Sequence, residues 1–253
     1  MCAQFFEEKN DKMNKPHDSW AKYYDFVYEH TFGDFYNSLK NETLKVITEI
    51  LSDGTIIDYG AGTGRLTIPL AKKDYKVIAV EKSHEMVNEL KRKLRKHNLD
   101  LPIHNCTISS YTNGRAELAL AVFTVLSYCT TENELLESIK NICQHIKPEG
   151  YFFFDLPNHI FFNTEQLINI QSEYLNRSVK LIKNSENNIF TYEEICNGIF
   201  KNEYFSYEDR FQIRYWEFDE INKLLINNGL GLIDKEFPQF ESTGSTYKLY
   251  KKI

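Results

Sequence analysis

Short unbroken apolar runs alternate with amphipathic stretches along most of this chain. Residues 55–60 (TIIDYG), 76–81 (KVIAVE), 118–125 (LALAVFTV) and 150–156 (GYFFFDL) are apolar without a period-two alternation. Such runs predict strands buried on both faces, as in a parallel sheet flanked by helices. Between them, residues 64–73, 83–98 and 132–146 carry the helical period, and residues 102–107 (PIHNCT) predict a weak third strand. Pro69 inside the first of these helices marks a first turn or a slight kink. Strand and helix taking turns five times predict a doubly wound α/β fold.

Two helices are expected ahead of this region. One is WAKYYDFVYEH, with Asp18 or Ser19 as N-cap and Trp20, Tyr23, Tyr24 and Val27 on one aromatic face. The other is residues 35–52, turning Leu39, Leu44, Ile47 and Leu51 inward. Residues 1 to about 17 read as loose. Beyond the α/β region, residues 173–216 are rich in Tyr, Phe, Ile and Val with turn signals at KNSENN and YED, which predicts two or three inserted antiparallel strands. Residues 217–237 return to helix and strand, and residues 245–253 form a last strand. The expected division is a helical cap (1–45), an α/β core (46–160), an inserted antiparallel β layer (161–215) and a C-terminal completion of the core sheet (216–253).

Composition narrows the class. A chain of 253 residues, 42% hydrophobic and 26% charged, can bury a real core. The net charge of −6 argues against general affinity for nucleic acid phosphates. Five scattered cysteines without a C-x-x-C pair read as free thiols in a reducing compartment, and the seven histidines show no metal-binding spacing. The polar N-terminus has no secretory pattern, and residues 118–126 are too short to span a bilayer. A cytoplasmic protein without a metal site is expected, free of membrane and nucleic acid partners, as a monomer or homodimer.

The candidate chemistry lies after the first apolar strand, where Gly60, Gly62 and Gly64 are spaced G-x-G-x-G. A dinucleotide turn wants G-x-G-x-x-G, and Arg65 stands at the place of its third glycine. The lysine of a phosphate-binding P-loop is absent. Asp58 precedes the turn at the ligand-binding edge of the expected sheet, where a carboxylate can receive an ammonium group. Glu81 ends the next strand, where an acid can grip both hydroxyls of a ribose. A cofactor with an amino-acid end and a ribose fits these two acids, and S-adenosylmethionine is such a cofactor.

Residues 55–86 resemble the first two motifs of class I S-adenosylmethionine-dependent methyltransferases, whose turn reads roughly D-x-G-x-G-x-G. Residues 121–158 and the closing WEFDEINKLLINNGLGLI resemble later motifs of that family, so the likeness covers about 20–160 and 214–253. The resemblance implies a Rossmann-like, seven-stranded, mostly parallel sheet whose last strand is antiparallel. It implies that Asp58, Gly60, Ala61 and Gly62 surround the methionine part and that Glu81 holds the ribose. Lys82 and Met86 would then flank the adenine, Thr107 and Ile108 would meet its edge, and Phe123 would border the methionine end. Where many members carry an aspartate after the third strand, this chain offers Asn105, Cys106 and Thr107.

Methyl transfer from a sulfonium asks the protein mainly to align the acceptor and exclude water. Tyr24, whose YYDFVY surroundings resemble a family segment that touches the cofactor, is a candidate for both cofactor contact and catalysis. Tyr128 and Asp155 are further catalytic candidates, and Tyr23, Ser127, Asn158 and Arg214 are substrate candidates at the same edge. Ordinary packing, loop or capping roles compete for each. The aromatic insertion (Phe190, Tyr192, Tyr204, Phe205, Tyr207, Tyr215, Trp216) could line a cation–π pocket or serve as core. The basic run 91–97 reads as a solvated helix face. The reading is methylation of a small polar molecule, an amine before a hydroxyl. RNA or protein methylation, a non-catalytic binding module and, last, a dehydrogenase are the alternatives.

Overall fold

A computed structural model describes residues 15–163, 165–184 and 188–253. Of the segment expected to be loose, 1 to about 17, residues 1–14 lie outside the described residues, as do 185–187 of the KNSENN turn. The chain opens with a 3-10 segment, Asp18–Tyr23, that leads into α1 (Tyr24–Phe32) and α2 (Asp34–Ile50). Neither Asp18 nor Ser19 caps a helix here. His17 holds the position before the 3-10 turn at φ 68°, and the Asp18 carboxylate instead accepts from the Ser83 hydroxyl. The boundary expected at residue 45 falls inside α2, whose Leu44, Val46 and Ile47 are buried against the core sheet.

The alternating region follows as β1 (Thr55–Tyr59), α3 (Thr67–Ala71), β2 (Lys76–Val80), α4 (His84–Lys96), β3 (Ile103–His104), β4 (Ala116–Ala121), α5 (Glu132–His145) and β5 (Ile146–Pro157). Pro69 sits in the first turn of α3, where its missing N–H leaves no helical bond unmade. The α4 helix begins at Ser83, whose side chain accepts from the Met86 N–H at 3.1 Å, and buries Met86, Val87, Leu90 and Leu94 along one face. Thr131 and Glu134 form a capping box at the start of α5. The β4 strand stops at Ala121, four residues short of the apolar run. Phe123 and Thr124 turn into the left-handed region at φ 69° and 65°, and the Asp155 carboxylate holds that turn by accepting from the Thr124 N–H at 3.0 Å.

After the short α6 (His159–Phe162) comes the insertion, whose residues 173–216 hold three strands, within the two or three expected there, with a fourth strand ahead of that range. They are β6 (Gln166–Gln171), β7 (Leu175–Lys183), β8 (Ile189–Phe200) and β9 (Glu203–Arg214). The strand β6, QLINIQ, lacks the aromatic signature that revealed the others. The chain ends with α7 (Phe218–Asn227), β10 (Leu230–Ile233) and β11 (Ser245–Lys252).

Seven strands form the main sheet in the order β10-β11-β5-β4-β1-β2-β3, parallel except that β11 runs antiparallel to both β5 and β10. The other four make a separate antiparallel sheet, β6-β7-β8-β9. From β1 the chain builds outward through β2 to β3, then returns to place β4 on the other side of β1. That reversal is the switch point at which an open α/β sheet leaves a crevice beyond its strand ends. The second sheet packs its inner face on the N-terminal segment: Trp20 and Val27 are buried with Leu175, Cys196, Phe205 and Tyr207. Among the described residues, no helix is long and apolar enough to cross a membrane.

Candidate active site

The turn after β1 is shaped by what its glycines lack. A Cβ on Gly60 would lie 2.6 Å from Val125 Cγ2, whereas one on Gly62 would meet nothing nearer than the Gly60 carbonyl at 3.9 Å. Gly60 thus permits close packing, and Gly62, at φ 54°, leaves its face open. Asp58 is buried at the end of β1 and accepts from the Thr67 hydroxyl at 2.6 Å. Desolvation pushes its carboxyl up to about 6, the Thr67 bond opposes this, and the Glu81 charge adds to it. Glu81 ties the turn to α4: one oxygen accepts from the Gly62 N–H at 2.9 Å, the other from the Ser83 N–H at 2.8 Å.

These groups border a cavity of ≈ 240 Å³ at the strand ends. Asp58, Gly60, Ala61, Gly62, Glu81, Lys82, Met86, Thr107, Ile108 and Phe123 all line it, as do Tyr24 and Tyr128. Elements far apart in sequence therefore converge on one space: the turns after β1 to β4, and α1. Tyr24 stacks on Tyr28 at 4.5 Å between ring centroids, and Tyr128 stacks on Phe211 at 5.6 Å. Burial, then neighbouring tyrosines, raises both hydroxyls well above the ordinary range, so both stay protonated. Lys82 Nζ lies 4.9 Å from the centroid of the Tyr128 ring, and burial lowers the pKa of its ammonium.

The remaining expected residues stand outside the lining. Asp155 holds the turn at Phe123 and Thr124 from behind, and its carboxyl, like that of Asp58, is pushed up to about 6 by desolvation. Asn158 caps α6 by accepting from the Ile160 and Phe161 N–H groups. Tyr23 stacks on Phe205 at 4.4 Å, and Ser127 is buried in a 3-10 turn. Arg214 lies over Trp216 at 3.8 Å and donates to the Thr130 carbonyl at 3.3 Å. The aromatics of the insertion do not line this cavity. Phe190, Phe205, Tyr207 and Trp216 are core, and Tyr204 faces solvent.

Arg65 and His17 are among the wall residues that the sequence did not mark as site residues. Arg65 stacks its guanidinium over Phe123 at 3.7 Å and over Tyr36 at 4.0 Å, and its buried Nε has no hydrogen-bond partner among the described residues. Its position beside the third glycine was the available signal. His17 reaches the cavity from the start of the chain and bonds the Tyr128 hydroxyl through Nε2 at 2.7 Å. No local pattern marks it, because its partners lie 111 and 192 positions away. A buried acid short of cationic partners, an orphaned guanidinium nitrogen and a second acid at the next strand end suit an α-amino acid joined to a ribose. The residues present fit S-adenosylmethionine.

Comparison with known proteins agrees. A methyltransferase domain model matches residues 56–150. The chain is 30% identical over 105 residues to YqeM of Bacillus subtilis (strain 168), which is named a methyltransferase. The match covers 41% of this chain and 42% of that protein, so the chain spans under half the length of this relative. Among solved structures, an S-adenosylmethionine-dependent methyltransferase from Clostridium acetobutylicum ATCC 824 superposes with a TM-score of 0.78 at 19% identity, over 91% of this chain and 98% of its own. The sugar N-methyltransferase KedS8 from Streptoalloteichus sp ATCC 53650 superposes with a TM-score of 0.72 at 14% identity, over 100% and 98%. At these identities the structural likeness is one of fold. Residues 56–150 thus match a methyltransferase domain, and the strand order around them gives the chain the fold of S-adenosylmethionine-dependent methyltransferases.

Proposed function

We propose that the chain transfers a methyl group from S-adenosylmethionine to the nitrogen of a small polar amine. The observation that carries this reading is the tyrosine-walled cavity in front of two buried acids. Asp58 would hold the amino group of the cofactor, Arg65 its carboxylate and Glu81 its ribose, while Lys82, Met86, Thr107 and Ile108 would border the adenine. When bound, the cofactor supplies a methyl group carried on a good leaving group. Tyr24 and Tyr128, neutral and half-buried, offer a hydroxyl to orient an amine and a ring face to an alkylammonium. Phe123, Val125 and the tyrosines keep water from the reacting centre. The similarity in fold to a sugar N-methyltransferase supports an amino sugar as the acceptor class.

Calorimetric titration with S-adenosylmethionine, followed by mass spectrometry on a panel of amino sugars and their hydroxyl analogues, tests the proposal. Micromolar binding that weakens about 10- to 100-fold in Glu81→Gln, where a charge-assisted bond is lost, is the expected outcome. Mass gain on the amino sugars alone supports the nitrogen reading. Methylation of the hydroxyl analogues instead would sink it.

One observation favours RNA as a second reading. Lys40, Lys72, Arg92, Lys93 and Lys96 border a neighbouring cavity of ≈ 450 Å³ that shares Arg65 with the first. Lys93 is paired with Asp25, and Arg92 with Glu89, so part of this charge is spent internally. RNA binding that falls steeply with salt would favour this reading over the amine.

A further inference from the structure

The N-terminal segment and the second sheet meet behind the cavity in a line of three polar groups that packing alone does not require. Tyr128, on the 3-10 turn after β4, bonds His17 Nε2 at 2.7 Å. The other ring nitrogen of His17, Nδ1, is buried without a hydrogen-bond partner among the described residues and faces Asp209 Oδ2 at 3.4 Å. That carboxylate is fully buried on β9 and fixed by two further donors, the His17 backbone N–H at 2.9 Å and Trp20 Nε1 at 2.8 Å. Asp209 Oδ1 has no partner among the described residues. His17 and Tyr128 line the cavity, and Asp209 lies behind them.

The direction of this line follows from its far end. A neutral imidazole carries one proton, and a carboxylate facing Nδ1 draws the proton there, which leaves Nε2 with a lone pair. Nε2 then accepts from the Tyr128 hydroxyl, and the phenol oxygen keeps lone pairs for an N–H donor in the cavity. We propose that Asp209, His17 and Tyr128 form a proton relay that deprotonates the acceptor ammonium before methylation. The inference rests on the amine reading above. The step balances: an ammonium proton passes to the Tyr128 oxygen, the hydroxyl proton passes to His17 Nε2, and the imidazolium formed faces the Asp209 carboxylate. The nitrogen keeps the freed electron pair as its nucleophile. Tyr128 is the catalytic residue, while His17 and Asp209 act through it as positioning residues.

Other charged and titratable groups surround the relay. Lys82 and Glu81 face Tyr128 from the turn after β2, Glu194 and Tyr192 from β8, and Tyr24 and Tyr28 from α1. Lys82 is the cation among them. It opposes protonation of its neighbours, which favours onward passage of the proton toward Asp209.

The test uses the full chain and two independent readouts. In ¹⁵N-histidine spectra, with the His17 signal identified by its loss in His17→Gln, the expected state is a neutral ring protonated on Nδ1, shifting toward the other tautomer in Asp209→Asn. A His17 protonated on Nε2 in the unaltered chain overturns the relay. In steady-state kinetics on a methylated amine, Tyr128→Phe and His17→Gln should lower kcat about 100-fold near pH 7. Their rates should then climb roughly tenfold per pH unit toward the pKa of the amine, as free amine replaces ammonium. The unaltered chain should level off at lower pH, and Kd for S-adenosylmethionine should stay within about twofold. Variants that keep the unaltered pH profile and rate overturn the relay and leave N-methylation standing. If the unaltered chain binds the cofactor but methylates no amine, the functional reading fails, and the tautomer still decides whether the line of three groups runs as stated.

Discussion

Asp58 and Asp155 have the same chemistry and nearly the same burial, and both carboxyls are pushed up to about 6 by desolvation, but they do different work. Asp155 faces a backbone turn, whereas Asp58 faces the cavity. An ordinary aspartate titrates near 3.8, so between about pH 4 and 6 the folded chain holds protons that the unfolded chain has lost. Stability from these two groups is present at low pH and is lost as pH rises through about 6. A bound ammonium reverses the preference at Asp58 because it needs the ionised form. Affinity for S-adenosylmethionine is therefore expected to fall by up to tenfold per unit below about pH 6, with proton release on binding. Calorimetry at pH 5.5 in two buffers of different ionisation enthalpy measures that release directly, and the effect should vanish in Asp58→Asn. The role of Asp58 was legible because strand end, glycine turn and acid are neighbours in sequence. That of Asp155 was not, because its partner Thr124 is 31 residues away.

At the scale of elements, alternation along β9 explains both its packing and its chemistry. Phe205, Tyr207, Asp209, Phe211 and Ile213 point inward while Ser206, Glu208 and Arg210 point out. An acid on an otherwise apolar strand face was a sequence signal for a buried partner, and the same holds for Arg177 and Glu194 on β7 and β8. These two form a fully buried ion pair at 2.7 Å, with the Tyr207 hydroxyl donating to Glu194 at 2.6 Å and Arg177 donating to Thr31 at 3.1 Å. The pair joins the second sheet to α1. Arg177→Met would leave Glu194 buried without its cation and is expected to cost about 3–5 kcal/mol in urea unfolding. Adding Glu194→Leu should recover part of that loss, since the uncompensated charge is then gone.

For the whole molecule, the cavity wall is drawn from the start of the chain and from the turns after four strands, so a ligand there binds only the folded state. Saturation with S-adenosylmethionine at about 100 times Kd should add about 2.7 kcal/mol, or roughly 5–10 °C in the thermal midpoint. An unchanged midpoint would mean that the cavity does not hold the cofactor. The sequence by itself determined the α/β order, the buried strands, the glycine turn and the two acids at successive strand ends, because each depends on residues a few positions apart. Tertiary structure alone decided how far β4 extends, that the insertion has a fourth strand, and that most of its aromatics pack as core while Tyr204 faces solvent. It also decided that His17 and Asp209 meet 192 positions apart behind Tyr128. Periodicity reports which face of an element is buried, but the partner it is buried against is selected by the packing of the folded chain.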